Sequence, residues 1–124
     1  MEELIYKDEA YEIVGMCMEV HNQLGNGLLE IIYKEAMELE AEDRGMEYER
    51  EKEFPVYYKN YLLQKKFFVD FIFYDKIIVE IKAKDSFANE DIAQVINYLK
   101  LSKCKLGLLI NFGKTKLEVK RIVC

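Results

Sequence analysis

Asp70, Glu80 and Lys82 are the residues of this 124-residue chain whose types and surroundings best suit chemistry. Both carboxylates sit in otherwise apolar runs, Phe67-Phe68-Val69-Asp70-Phe71-Ile72-Phe73-Tyr74 and Ile77-Ile78-Val79-Glu80-Ile81-Lys82. Burying an ionised carboxylate costs several kcal/mol even after relaxation, which a metal ion or a close partner must offset. Glu80 and Lys82 are two residues apart, so on a strand they share one face, and Ile77, Val79 and Ile81 make the other face apolar. Two carboxylates and a backbone carbonyl, that of Ile81, form a hard oxygen site for Mg²⁺ or Mn²⁺ with positions left for water. Such an ion acidifies a bound water and neutralises charge on a phosphate, while a neighbouring lysine orients that water. That is the chemistry of phosphodiester hydrolysis. A structural alternative stays open at this point: Lys82 neutralising Glu80 as a simple ion pair, with Asp70 capping a turn. No His/Cys cluster offers a zinc site, and no paired Ser and His suggests a covalent nucleophile.

Further candidates lie on helical segments. Gln94 and Tyr98 are four apart, on one helix face and off its main apolar stripe, where they could reach phosphate or metal-bound water. The alternative is an exposed Gln and a partly buried Tyr. Glu30 falls in the first turn of a helix, where interaction with the helix dipole would explain it equally well. Tyr33 lies three residues on and shares its side. His21, the only histidine, sits on the inner stripe of the first helix. It reads either as a hydrogen-bonded core residue or as a contributor to the site.

The elements that must position these residues follow from periodicity. Ala10, Ile13, Val14, Cys17, Met18, His21 and Leu24 fall at the spacing of one helical face over Asp8–Leu24, ended by Gly25-Asn26-Gly27. A second helix is expected from Leu28 to Arg44, with Leu29, Ile32, Tyr33, Ala36 and Met37 inward and Gly45 as its stop. Strands are expected over Met46–Tyr58, Leu62–Tyr74 and Ile77–Lys82, with Pro55 at an edge or bulge and Lys59-Asn60 as a turn. A helix over Glu90–Leu101, facing inward with Ile92, Val95, Ile96 and Leu99, precedes strands at Lys105–Asn111 and Leu117–Val123. The order is ααβββαββ, an α/β class, read as one domain over 1–124. Geometry adds a condition. A two-residue turn at Asp75-Lys76 would set Phe71 opposite Glu80 and send Asp70 to the other face. For Asp70 and Glu80 to share an ion, the connection needs an odd loop or a bulge.

Composition bounds the function. Half the residues are apolar and a third charged, a globular balance. No apolar run approaches the ~20 residues that cross a bilayer, so no membrane partner is expected. The start, Met1-Glu2-Glu3-Leu4, is acidic and unlike a signal peptide. Cys17, Cys104 and Cys124 are odd in number and widely spaced, which with the N-terminus points to the reducing cytoplasm. Net charge is −5, yet residues 1–53 carry 16 acidic and 5 basic groups, whereas residues 82–124 carry 4 and 9. An acidic protein can still bring a basic face to phosphate; solvated surface is the bland alternative.

Taken together the motifs resemble a known family. Gly27-Leu28-Leu29-Glu30-Ile31-Ile32-Tyr33 is similar to the GxxExxY signature, framed by His21-Asn22-Gln23-Leu24-Gly25-Asn26-Gly27, with Asn26 where Pro is more usual. Asp70, Glu80-Ile81-Lys82 and Gln94-Val95-Ile96-Asn97-Tyr98 resemble the D…ExK…QxxxY series of RecB-like nucleases. Gly107-Leu108-Leu109-Ile110-Asn111-Phe112-Gly113 and Lys120-Arg121-Ile122 extend the likeness over nearly the whole chain. The resemblance implies a PD-(D/E)XK, restriction-endonuclease-like core, with a mixed central sheet flanked by helices. It implies metal ligation by Asp70 and Glu80, a catalytic Lys82, Glu30 as the helical acidic residue and Gln94 and Tyr98 as accessory residues. The expected activity is Mg²⁺- or Mn²⁺-dependent cleavage of DNA, or of RNA. The alternatives are a non-catalytic nucleic-acid-binding or assembly module that keeps the fold, and a homo-oligomeric scaffold joined through the aromatic Phe54–Tyr61 region. The small size makes a homodimer or a targeting partner protein the expected means of gripping a duplex.

Overall fold

The computed structural model describes residues 4–124; Met1-Glu2-Glu3, part of the acidic start considered above, lies outside the described residues. Helix α1 spans Lys7–Leu24 and α2 spans Glu30–Asp43. Strand β1 is Tyr48–Phe54, a two-stranded hairpin follows as β2 (Tyr57–Tyr58) and β3 (Tyr61–Leu62), and β4 (Phe67–Phe73) and β5 (Ile77–Lys82) complete the first half of the sheet. Helix α3 (Asn89–Ser102) then carries the chain to β6 (Leu106–Asn111) and β7 (Glu118–Val123). The five-stranded sheet runs β1-β4-β5-β6-β7. Its pairs are antiparallel except β5–β6, which are parallel because α3 crosses between them. The mixed α/β core with flanking helices agrees with expectation.

The order differs in one place. The strands expected over 46–58 and 62–74 are each cut in two. Pro55 cannot donate to a ladder and ends β1, and the middle pieces close on each other as the separate hairpin. Lys59-Asn60 forms its tip, with Lys59 at φ +55°.

Both faces of the sheet are covered, which explains why β5 and β6 have almost no polar positions. Phe71, Phe73, Ile77, Val79, Ile81, Leu106, Leu108 and Ile110 pack under α1 and α2, against Ile13, Met16, Cys17, Tyr33 and Met37. Val69, Ile72, Ile78 and Leu109 pack under α3, against Val95 and Leu99. Gly107 lets α3 lie close on β6, since a Cβ there would come within 2.6 Å of the Val95 side chain. The buried arc of α1 is Ala10, Ile13, Met16, Cys17, Val20 and His21; Met18 and Leu24, expected inside, are exposed. On α2 the buried residues are Tyr33, Met37 and Ala41, while Leu29 and Ile32 face outward. Gly25, at φ +71°, closes α1 by donating to the His21 carbonyl at 2.8 Å.

Candidate functional site

The β4–β5 connection is odd, as the shared-ion condition required. Phe73 pairs with Ile77 and Phe71 with Val79, leaving a three-residue loop, Tyr74-Asp75-Lys76. Both Tyr74 and Asp75 are in the left-handed region. Continuing that register by one step sets Asp70 opposite Glu80, where directly opposed residues share a face.

The backbone ladder stops at this step and the two carboxylates take it over. Asp70 Oδ2 accepts the Ile81 N–H at 2.8 Å, and Glu80 Oε1 accepts the Asp70 N–H at 3.3 Å. On the other side of β4, Glu51 lies opposite Asp70, between the pairs Arg50–Phe71 and Lys52–Val69, and it too adopts a left-handed backbone, φ +54°. Side-chain alternation along β4 also slips here. Val69 joins the α3-side core although Phe71, two residues on, joins the other. Asp70 therefore stands where the β4 ladder is interrupted toward both neighbours.

Ile81 contributes its carbonyl to the same gap. The Lys82 carbonyl accepts from Phe112 on the β6 side. Neighbouring residues on a strand direct their polar groups to opposite sides, and the Ile81 N–H already faces Asp70. Its C=O thus leaves toward β4.

The electrostatics are those of a crowded acid pair. Burial pushes the Glu80 carboxyl far above the usual carboxylate range, helped by its hydrogen bond to Asp70 and by the Asp70 charge. Burial alone would raise Asp70 too, but bonds from Glu80, the Ile81 N–H and Lys34 outweigh it and hold Asp70 low. The two groups titrate as a pair, and together they hold a proton more tightly than separate carboxyls would.

Two residues absent from the sequence-based set complete the cluster. Lys34 Nζ donates to Asp70 Oδ1 at 2.7 Å and lies 3.5 Å from Glu30 and 3.6 Å from Glu51. Burial alone would lower the Lys34 ammonium, but the charges of Asp70, Glu30 and Glu51 overcome that and keep it protonated. Glu30 is thereby brought to the site through a lysine. The i, i+4 spacing of Glu30 and Lys34 was a usable signal. Glu51 had none, because Glu49, Glu51 and Glu53 read as an ordinary solvated strand edge. Exposure grades outward, from the nearly buried Glu80 through Asp70 and Lys34 to half-exposed Glu30 and Glu51, so the cluster opens to solvent on the α2–β1 side.

Lys82 shares the Glu80 face and its charge acts on that carboxyl, but its nearest carboxylate partner is Asp91, at 3.8 Å. Asp91 also accepts from Lys84 at 2.6 Å and from the Ala88 N–H at 2.8 Å, fixing the start of α3. The simple Lys82–Glu80 ion pair is not what forms. Tyr98 stacks on Phe67, and burial, followed by the charges of Glu80 and Asp70, raises its phenol. Gln94 lies one turn before it, half-buried.

Tyr33 and His21 serve elsewhere. Tyr33 is buried against Phe112, donates to the Gly25 carbonyl at 2.7 Å and accepts the Leu28 N–H at 3.1 Å, so its hydroxyl is spent on the Gly-rich turn. His21 is buried with Nε2 2.9 Å from the Lys114 carbonyl, the hydrogen-bonded core role. Asn111, overlooked in the sequence, is a buried clamp. Its amide bonds both the N–H and the carbonyl of Lys84, at 3.0 and 2.8 Å, and so holds the exit of β5 beside β6.

The donor set fits a divalent cation. Asp70, Glu80 and the Ile81 carbonyl supply hard oxygens, and their retained proton marks a position where positive charge is wanted. Among the described residues no group of three or more His, Cys, Asp or Glu is placed to hold a metal. Two carboxylates with a carbonyl leave coordination positions to water, as Mg²⁺ favours.

The sequence profile of the PD-(D/E)XK nuclease superfamily matches residues 7–122. Among solved structures, that of SSO0001 superposes with a TM-score of 0.60 at 20% identity, covering 95% of this chain and 59% of that one. The chain thus spans about three-fifths of that protein's length, and the likeness concerns the fold alone. No curated protein matches. Among the described residues, no helix is long and apolar enough to cross a membrane.

Proposed function

Since the chain belongs to the PD-(D/E)XK nuclease superfamily, we propose that it is a Mg²⁺- or Mn²⁺-dependent nuclease of the GxxExxY type, acting on DNA or RNA as one domain. The observation that carries this reading is the facing pair: Asp70 and Glu80 stand opposite each other at the point where the β4–β5 ladder opens. A bound Mg²⁺ or Mn²⁺ supplies water activation and charge neutralisation at the scissile phosphate. Asp70, Glu80 and the Ile81 carbonyl hold it. Lys82, on the same face as Glu80, orients the attacking water or stabilises charge that builds on phosphate oxygens. Tyr98 and Gln94, from α3, border the phosphate. Glu30 acts through Lys34 by fixing its ammonium against Asp70. Three free thiols fit a reducing compartment, the cytoplasm.

Labelled single- and double-stranded DNA and RNA, incubated with Mn²⁺, with Mg²⁺ and with chelator, test this. Cleavage should require the metal and vanish in Glu80→Gln and Asp70→Asn. Equal cleavage by both variants, or cleavage in chelator, contradicts the assignment.

One observation favours a second reading. The Lys34 ammonium already neutralises Asp70 at 2.7 Å, as in a module that keeps the fold without a metal. That reading predicts nucleic-acid binding with no turnover and no metal affinity.

A further inference from the structure

The β2–β3 hairpin is the part of the chain that neither core uses. It is closed at its base by the Leu63 N–H to the Val56 carbonyl at 2.9 Å. Its pairs are Tyr57–Leu62 and Tyr58–Tyr61, so Tyr58 and Tyr61 stand side by side on one face and Tyr57 and Leu62 on the other. None is packed away: Tyr58 is 60% and Tyr61 72% exposed. Around these rings the chain is wholly basic. From residue 54 to residue 69 there are three lysines, Lys59, Lys65 and Lys66, and no acidic residue, within a protein of net charge −5. Lys59 lies over the Tyr58 ring and Lys66 reaches back to Glu53 on β1.

The hairpin is also joined to the site. It leaves β1 three residues after Glu51 and enters β4 three residues before Asp70. At its root Phe54 stacks on Phe67 and Phe67 on Tyr98, each with ring centroids 5.1 Å apart, which ties the hairpin to α3.

We infer that this hairpin is a binding arm for single-stranded nucleic acid. Lys59 and Lys65, with no acidic residue in their own stretch of chain, attract the phosphate backbone, and exposed tyrosine rings offer faces on which unpaired bases stack. A duplex hides its base faces and could use only the charge, so the rings select the single strand. The exposed rings beside the acid-free run argue for nucleic acid over an acidic surface such as that of a second copy of this chain, because stacked bases fill ring faces as carboxylates cannot. The inference deepens the nuclease reading by naming the form of substrate, and it rests on that reading only for where the strand is then delivered.

The test is fluorescence anisotropy on the whole protein in chelator, where no metal-dependent cleavage intrudes. The probes are labelled oligo(dT) and oligo(U) of about 20 nucleotides and a duplex of the same length. Wild type should bind the single strands in preference to the duplex, and the two probes distinguish DNA from RNA. Tyr58→Ala/Tyr61→Ala should weaken binding roughly tenfold or more. Lys59→Gln/Lys65→Gln should weaken it and flatten its dependence on salt. Both pairs are exposed, and circular dichroism melts confirm that each variant is folded. No binding by wild type, undiminished binding by both folded variants, or preference for duplex overturns the inference. So does a dimer in sedimentation that the tyrosine variant dissolves without any oligonucleotide binding, which would make the hairpin a contact between copies. A wild type that cleaves but does not bind through the hairpin overturns this inference and leaves the nuclease reading. One that binds through the hairpin and never cleaves upholds it and removes the nuclease reading.

Discussion

The two ends of the β4–β5 pair are built from the same chain and behave in opposite ways. At the loop end, Phe71, Ile72 and Phe73 pair with Val79, Ile78 and Ile77, and every side chain is sealed under a helix. At the other end the ladder gives out, the neighbouring β1 residue Glu51 turns left-handed, and carboxylates replace backbone in the bonding. The difference teaches where this fold can hold chemistry. Along this pair of strands, carboxylates stay buried where the ladder stops and leaves N–H groups for them to take up, and that same break opens them to an incoming cation.

The sharpest way to break the comparison is Glu80→Gln. It should cut metal-dependent cleavage by on the order of 100- to 1000-fold or more, measured on labelled DNA. At about pH 5, close to the ordinary Glu80 value of 4.5, its metal-free melting temperature should hardly move, because a neutral amide replaces a carboxyl whose proton burial holds. At the sealed end the balance reverses. Phe73→Ala, fully buried, should cost about 3–5 kcal/mol in denaturant unfolding. Any loss of cleavage it causes should follow the fraction unfolded.

Lys34→Met probes the boundary between the two. It leaves Asp70 without its 2.7 Å partner and should cost about 1–3 kcal/mol in metal-free buffer. It should also raise Mn²⁺ affinity in titration, since a positive charge beside the ion is gone. Lost repulsion between two buried carboxylates would raise stability when either is removed. Lys34 and the shared proton already relieve that repulsion, so the gain should not appear for Asp70→Asn.

The last effect is a dependence on pH. Glu80 binds its proton more tightly folded than at its ordinary value of 4.5. Its stabilisation is therefore complete below that pH and is lost as pH rises toward the raised folded value. Asp70 works in the opposite sense and only in acid, because its folded value is held below the usual range. In chelator, wild type should then lose melting temperature relative to Glu80→Gln as pH rises from about 5 toward about 10, the value to which Glu80 is pushed up. Added Mn²⁺ should reverse the trend by binding the ionised pair.

Much of this was legible in the sequence because it depends on alternation. A carboxylate in an otherwise apolar strand declares itself, and the two-residue period places Glu80 with Lys82 and apart from Ile77, Val79 and Ile81. It also asked for an odd loop or a bulge if Asp70 and Glu80 share an ion, and the three-residue β4–β5 loop is odd. What escaped depends on contacts across elements. Lys34 and Glu51 meet Asp70 from α2 and β1, and their own surroundings look like solvated charge. The detached hairpin was hidden because Tyr57, Tyr58, Tyr61 and Leu62 have strand-forming side chains whether or not they join the main sheet. The inner stripes of α1 and α2 were misplaced by a fraction of a turn, since amphipathic spacing fixes that a face exists more firmly than which residues bound it.

The central claim is that the opened end of β4–β5 is a cation site. Calorimetric titration of Mn²⁺ into wild type and into Glu80→Gln, with cleavage of single- and double-stranded DNA followed on the same samples, tests it most directly. The account predicts binding and cleavage in wild type and the loss of both in the variant. A folded wild type that takes up no Mn²⁺, or a variant that binds it equally well, would contradict it.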